Sequence, residues 1–203
     1  AEDLLNKNRK EIADSLKYNR AILDNEARNK YGALREKAGQ IPMLEEADKL
    51  IETIHSSDIK NTFLKSAIDK LEKNKTIGEG MDFRKDLNKK IRPLQANRIN
   101  LSPEKEDLLD LYVSLRDNID SGLEAAFKKQ SSISGGNADY LKDFLNANKF
   151  YKENIVPYEM HEDVSKILNK DISHVPEKIL EKFEQENYTN SKILKDLGEQ
   201  GVN

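Results

Sequence analysis

The stretch DLLNKNRKEIADSLKYNRAILDNEARNKYGALREKA, residues 3–38, decides the fold class. Within it Leu5, Ile12, Leu16, Leu23, Ala27, Tyr31, Leu34 and Ala38 step by sevens, fours and threes. Those steps place one apolar stripe along a single helix, roughly 50 Å long at a rise of 1.5 Å per residue. Gly39 stands where a C-terminal cap belongs.

The same rhythm returns after each turn signal. Pro42 suits the first turn of a second helix carrying Leu44, Ala47, Ile51 and Ile54. Ser56, Ser57 and Asp58 offer a cap for a third, with Ile59, Phe63, Ala67 and Leu71 on one face. Gly78-Glu79-Gly80 breaks the pattern, and Asp82 is placed to cap a fourth helix carrying Leu87, Ile91 and Leu94. Pro93 predicts a kink or an early end there. Ser102-Pro103 is a cap followed by proline at the first helical position, and it opens a helix with Leu108, Leu111, Leu115, Ile119, Leu123 and Ala126 that should end near Lys129.

Residues 131–137 are linker-like, rich in serine and glycine. Asn137 then caps a helix with Tyr140, Phe144, Ala147, Tyr151 and Ile155 on one side, stopped by Pro157. Short helices are expected over 159–169, 176–184 and 191–197. No strand-like alternation lasts beyond a few residues. The expected fold is all-α: an elongated antiparallel helical bundle built on the long first helix. Residues 1–130 form the main bundle, 131–137 the linker and 138–203 the helices that pack on it, with one continuous domain as the alternative division.

Composition agrees with slender helices. Of 203 residues, 35% are charged and 36% hydrophobic, so each helix buries one stripe and a thick core is disfavoured. The net charge of −3 does not draw the whole molecule to polyanions. No apolar run exceeds three residues, so no segment is long enough to span a bilayer. The start, Ala1-Glu2-Asp3, lacks the features of a signal peptide and lacks Met, as expected of a processed product or an excised piece. With no cysteine, disulfide and thiolate chemistry are excluded.

Chemistry-bearing residues are sparse. His55, His161 and His174 are scattered, and Ser165 stands where a zinc-protease helix beginning at His161-Glu162 would need its second histidine. Gly78-Glu79-Gly80 lacks the third glycine and the Lys-Ser/Thr ending of a phosphate loop. Carboxylates abound, but none lies in an apolar setting that would single it out as a catalytic acid. No catalytic, metal or cofactor residue is assigned, and the chain is expected to be non-enzymatic.

Charge is segregated between neighbouring segments. Arg84, Lys85, Lys89, Lys90, Arg92 and Arg98 face only Asp86 within 84–98, whereas 104–124 is dominated by Glu104, Glu106, Asp107, Asp110, Asp117, Asp120 and Glu124. Either Arg84, Lys85, Lys89, Lys90 and Arg92 contact nucleic acid or another partner, or the two segments form a self-complementary hairpin. The hairpin is favoured because aromatic residues for base stacking are missing there. Phe150 falls off the apolar stripe of its helix and, with Tyr158, is a candidate docking residue.

Three segments resemble stretches of the DNA-injection (ejection, or internal virion) proteins of tailed phages and prophages: EARNKYGAL at 26–34, DFRKDLN at 82–88 and ANKFYKENIVP at 147–157. That family is similar in having Ala/Arg/Tyr helices, then a Phe-Arg-x-x-Leu helix, then an Ala-x-x-Phe-Tyr-x-x-x-Val-Val-Pro helix end, in this order. The resemblance spans residues 20–197. It implies a helical, non-enzymatic segment of a long protein that leaves the capsid with the genome. Its partners would be other virion proteins or further copies of itself, with nucleic acid a lesser candidate. The location implied is the virion, or the bacterial cytoplasm for a prophage-encoded chain. The Lys- and Asn-rich composition departs from the family, and a helical sensor, adaptor or effector domain and a cell-wall lytic enzyme remain alternatives.

Overall fold

In the computed structural model, residues 2–133, 139–160, 164 and 168 are described, with side-chain surroundings from residue 10 onward. They form α1 (Glu2–Ala38), α2 (Leu44–Ser56), α3 (Thr62–Lys73), α4 (Ile77–Ala96), a 3-10 turn (Arg98–Asn100), α5 (Pro103–Ile133), α6 (Tyr140–Asn154) and α7 (Val156–Met160). The protein is all-α. Two compact units divide the chain, one of residues 29–148 and the other of 1–28 with 149–203. The expected division at 131–137 differs: residues 131–133 are the last turn of α5, and 134–138 lie outside the described residues. The cap expected at Asn137 and the helices expected over 176–184 and 191–197 also lie outside them, as do His161 and His174.

In the unit of residues 29–148, Leu34, Ala38, Leu50, Ile54, Leu64, Leu71, Leu87, Ile91, Leu115, Ile119, Leu123, Phe127 and Phe144 build one continuous apolar core. The rings of Phe127 and Phe144 lie 5.0 Å apart, and Phe63 stands edge-on to Tyr112 at 5.6 Å. Such pairs add about 0.5–1.5 kcal/mol beyond their buried area. Phe144 is thus a core anchor, and Tyr140 packs half-buried against the same core.

Two helix starts differ from expectation. Ser57 closes a local turn by accepting from the Ile59 N–H, and Asn61 caps α3 by accepting from the Leu64 N–H at 2.9 Å. Thr76, not Asp82, caps α4, so Gly78 and Gly80 lie inside the helix. Close approach explains both glycines. The 39–43 and 75–78 segments are clasped by backbone bonds Met43 N–H to Lys75 O, Ile77 N–H to Ile41 O and Gly78 N–H to Gly39 O, each 2.9 Å. A Cβ on Gly78 would stand 2.7 Å from the Gly39 carbonyl oxygen, and one on Gly80 2.7 Å from Met43 Sδ. Helix propensity loses to packing here.

Two further expectations shift. Pro93 does not end α4, which runs three residues further to Ala96; the Asn97 side-chain amide donates to the Pro93 carbonyl and caps the end. In α5 the first buried turn is Leu109 and Tyr112, with Leu108 and Leu111 only half-buried, before the expected Leu115, Ile119, Leu123 and Ala126. The helix ends at Ile133, one turn beyond Lys129.

In the unit of residues 1–28 with 149–203, Ala13, Leu16, Ala27, Ile155, Tyr158 and Val164 are buried. Here α6 ends at Asn154, and Pro157 falls in the first turn of α7, where its missing N–H leaves no helical bond unmade.

Candidate functional site

Helices α4 and α5 pack closely as an antiparallel hairpin: Gly80 faces Leu123, and Arg84 pairs with Asp120 four residues along. The short connection through the 3-10 turn enforces this, and it sets the basic segment against the acidic one.

Arg84 is not a surface cation. Its side chain is 12% exposed; Nε donates to Asp120 Oδ1, and Nη2 donates to Asn148 Oδ1 at 3.0 Å. The guanidinium carbon lies 5.2 Å from the Tyr31 ring centroid, within cation–π range, and Tyr31 Oη donates to the same Asn148 oxygen at 2.6 Å. One arginine therefore ties α1, α4, α5 and α6 together. Burial alone would lower its pKa, but the neighbouring Tyr31 and Asp120 oxygens hold it above that of a free arginine. Burial raises the Tyr31 phenol, and the Arg84 charge opposes it in part.

The other proposed contact residues differ in setting. Lys85 is exposed, Lys89 is exposed and paired with Asp86 at 3.0 Å, and Arg92 is half-buried. Lys90 is exposed, with Nζ 5.5 Å from the Phe63 ring centroid. Arg84 is thereby removed from the basic face, and the acids Asp82 and Asp86 interrupt it. Asp82 is itself engaged by Arg35, whose guanidinium donates to both carboxylate oxygens.

A second arginine centre lies in the other unit. Arg20, 12% exposed, donates from Nε to Asp24 at 2.8 Å, from Nη2 to Glu159 at 2.8 Å and from Nη1 to the Ile155 carbonyl at 3.2 Å. Tyr151 Oη donates to Glu159 at 2.9 Å. The cation sits at the C-terminal end of α6, where the helix dipole favours it. Tyr158, a proposed docking residue, is fully buried here: it lies one helical step beyond Ile155, on the inward face. Phe150 is half-buried.

Both arginine centres are networks with their hydrogen bonds directed inward, and none of their side chains lines the α2–α5 groove, the recess at the α2–α3 turn or the recess lined by Phe63 and Asp86. An open groove of about 570 Å³ lies between α2 and α5, lined by Glu46, Lys49, Thr53, Ser121 and Gly122 among others. A more apolar recess of about 420 Å³ lies at the α2–α3 turn. Among the described residues, no helix is long and apolar enough to cross a membrane, and no group of three or more His, Asp or Glu is placed to hold a metal ion. No family model, curated protein or solved structure matches the chain.

Reasoning from sequence misses the inward course of both arginines, although a signal exists. Arg84 stands three and seven residues before Leu87 and Ile91, and Arg20 stands four after Leu16 and three before Leu23. Both occupy positions on the apolar stripe of their helix.

Proposed function

We propose that this chain is a non-catalytic structural and interaction module of a phage or prophage virion protein that takes part in delivering DNA to the host. The observation that carries the non-catalytic part is the use of four sheltered charged groups. Arg20, Arg84, Asp120 and Glu159 bind helix to helix through side chains 12–32% exposed, and those bonds leave few sites on them for a reacting molecule. The virion part is supported by the resemblance of residues 26–34, 82–88 and 147–157 to DNA-injection proteins. The Arg84 network joins members of all three segments: Tyr31, Arg84 itself and Asn148.

The mechanism is assembly. Helices joined by short connections re-form quickly after partial opening, which suits a protein that leaves a particle through a narrow channel. Its partners are other virion proteins or further copies of itself. The test is to purify particles from the source strain and quantify the chain in them by mass spectrometry, then delete its gene. The expected result is co-purification, with the mutant giving DNA-filled particles that adsorb but fail to deliver the genome. Absence from particles, with delivery intact in the mutant, would overturn the proposal.

A further inference from the structure

The two ends of α2 carry complementary surfaces. At its first position Leu44 is 58% exposed, although apolar, and Glu45 beside it is exposed. About 20 Å away, at the other end of this helix, lies the 420 Å³ recess. Its floor is Ile54 and Leu64, both buried, and its walls are the half-buried Ile59 and Ile68. Its ionisable lining is His55, Lys60 and Lys65, all exposed, with no carboxylate among the residues that line it. Lys60 is held in place, its Nζ donating to the His55 carbonyl at 2.8 Å and the Ile54 carbonyl at 3.4 Å.

We infer that the recess receives Leu44 of a second copy of this chain, with Glu45 of that copy set against Lys60 and Lys65. The apolar side chain fills the apolar floor, and the exposed acid beside it meets a basic rim. An occupant with cations beside its apolar anchor, as Ile99 has in Arg98, would meet like charge instead. Because plug and recess are different patches on one chain, each copy can give one and receive one, so the contact pairs unlike surfaces of the two copies. This inference uses only the unit of residues 29–148 and stands apart from the virion proposal.

The experiment is sedimentation equilibrium on the full chain, with circular dichroism melts as the check on folding. The wild type is expected to rise in weight-average mass above that of the monomer across about two decades of concentration. Leu44→Asp removes the plug and adds an acid where the helix N-terminus tolerates one. Thr62→Glu/Lys65→Glu places two acids in the recess, the first at a helix N-terminus. Each variant alone is expected to stay monomeric, its association weakened about tenfold or more. Mixed, they are expected to form a complex of one copy of each, because each retains the surface the other lacks. A wild type that stays monomeric throughout, variants that associate as the wild type does, or a mixture that yields no such complex would each overturn the inference.

Discussion

Arg84 and Asp120 pair across the α4–α5 hairpin, 36 residues apart in the chain, with the arginine side chain 12% exposed and the aspartate 32%. The pair converts a segregation of charge along the sequence into a fastening between helices. Asn148 and Tyr31 complete the arginine's surroundings, so its desolvation is met by a carboxylate, an amide oxygen and a ring face. Pairs of this kind stabilise modestly when intact and cost several kcal/mol when one member is removed.

The cations of α4 should therefore separate into two classes. Lys85→Gln and Lys89→Gln are expected to shift unfolding free energy by less than about 0.5 kcal/mol, because both side chains are exposed. Arg84→Gln is expected to cost about 2–4 kcal/mol in urea unfolding, leaving Asp120 with a lost partner. Equal, small effects for all three would show that Arg84 is a surface residue.

Glycine substitutions should split in sign. A methyl group on Gly32 would meet nothing within 4 Å, so Gly32→Ala should stabilise α1 by about 0.5–1 kcal/mol. Gly78→Ala should destabilise, because the new Cβ meets the Gly39 backbone oxygen at 2.7 Å. Gly80→Ala should cost less than Gly78→Ala, since its obstacle is the flexible Met43 thioether. Thermal melts of the three variants read all three signs, and a stabilising Gly78→Ala would contradict the clasp between residues 39–43 and 75–78.

Phe144→Ala should cost about 3–5 kcal/mol, since the ring is 1% exposed and packs against Phe127. A variant that melts with the wild type would place α6 outside the core of its unit.

Alkaline pH tests the burial of two tyrosines. Burial raises the phenols of both Tyr31 and Tyr112 above the ordinary tyrosine value, with Arg84 and Asn61 respectively opposing it. The unfolded chain therefore releases these protons first. The stability they contribute is complete below pH about 10 and is lost as pH rises through the folded values. Ultraviolet titration should place Tyr31 and Tyr112 among the tyrosines that ionise late in the folded protein. Tyr31→Phe should lose less stability than the wild type on passing pH about 10; parallel losses would contradict the burial.

The helices themselves are legible in sequence because a stripe is a local property. Leu16, Ala27, Leu34 and Ala38 on α1, Leu87 and Ile91 on α4, and Leu115, Ile119 and Leu123 on α5 are buried as their spacing requires. Helix starts are less legible where a close approach outweighs propensity, as at Gly78 and Gly80. Side-chain partnership is legible only coarsely: the opposed charges of 84–98 and 104–124 point to the α4–α5 hairpin but not to which residues pair. Asp24 stands at the favourable spacing before Arg28, yet its bond comes from Arg20, which also reaches Glu159, 139 residues away. Nothing in local spacing encodes a partner at that separation, although the position of Arg20 on the stripe marks it as inward-facing. The basic cluster at 84–92 reads as one surface for the same reason, yet Arg84 belongs to the interior.

The central physical claim is that the sheltered charges of this chain join its helices to one another, and a double-mutant cycle on Arg84 and Asp120 tests it most directly. Unfolding free energies of Arg84→Ala, Asp120→Ala and the double variant should reveal a coupling of about 1–3 kcal/mol. Effects that add to within about 0.5 kcal/mol would contradict it.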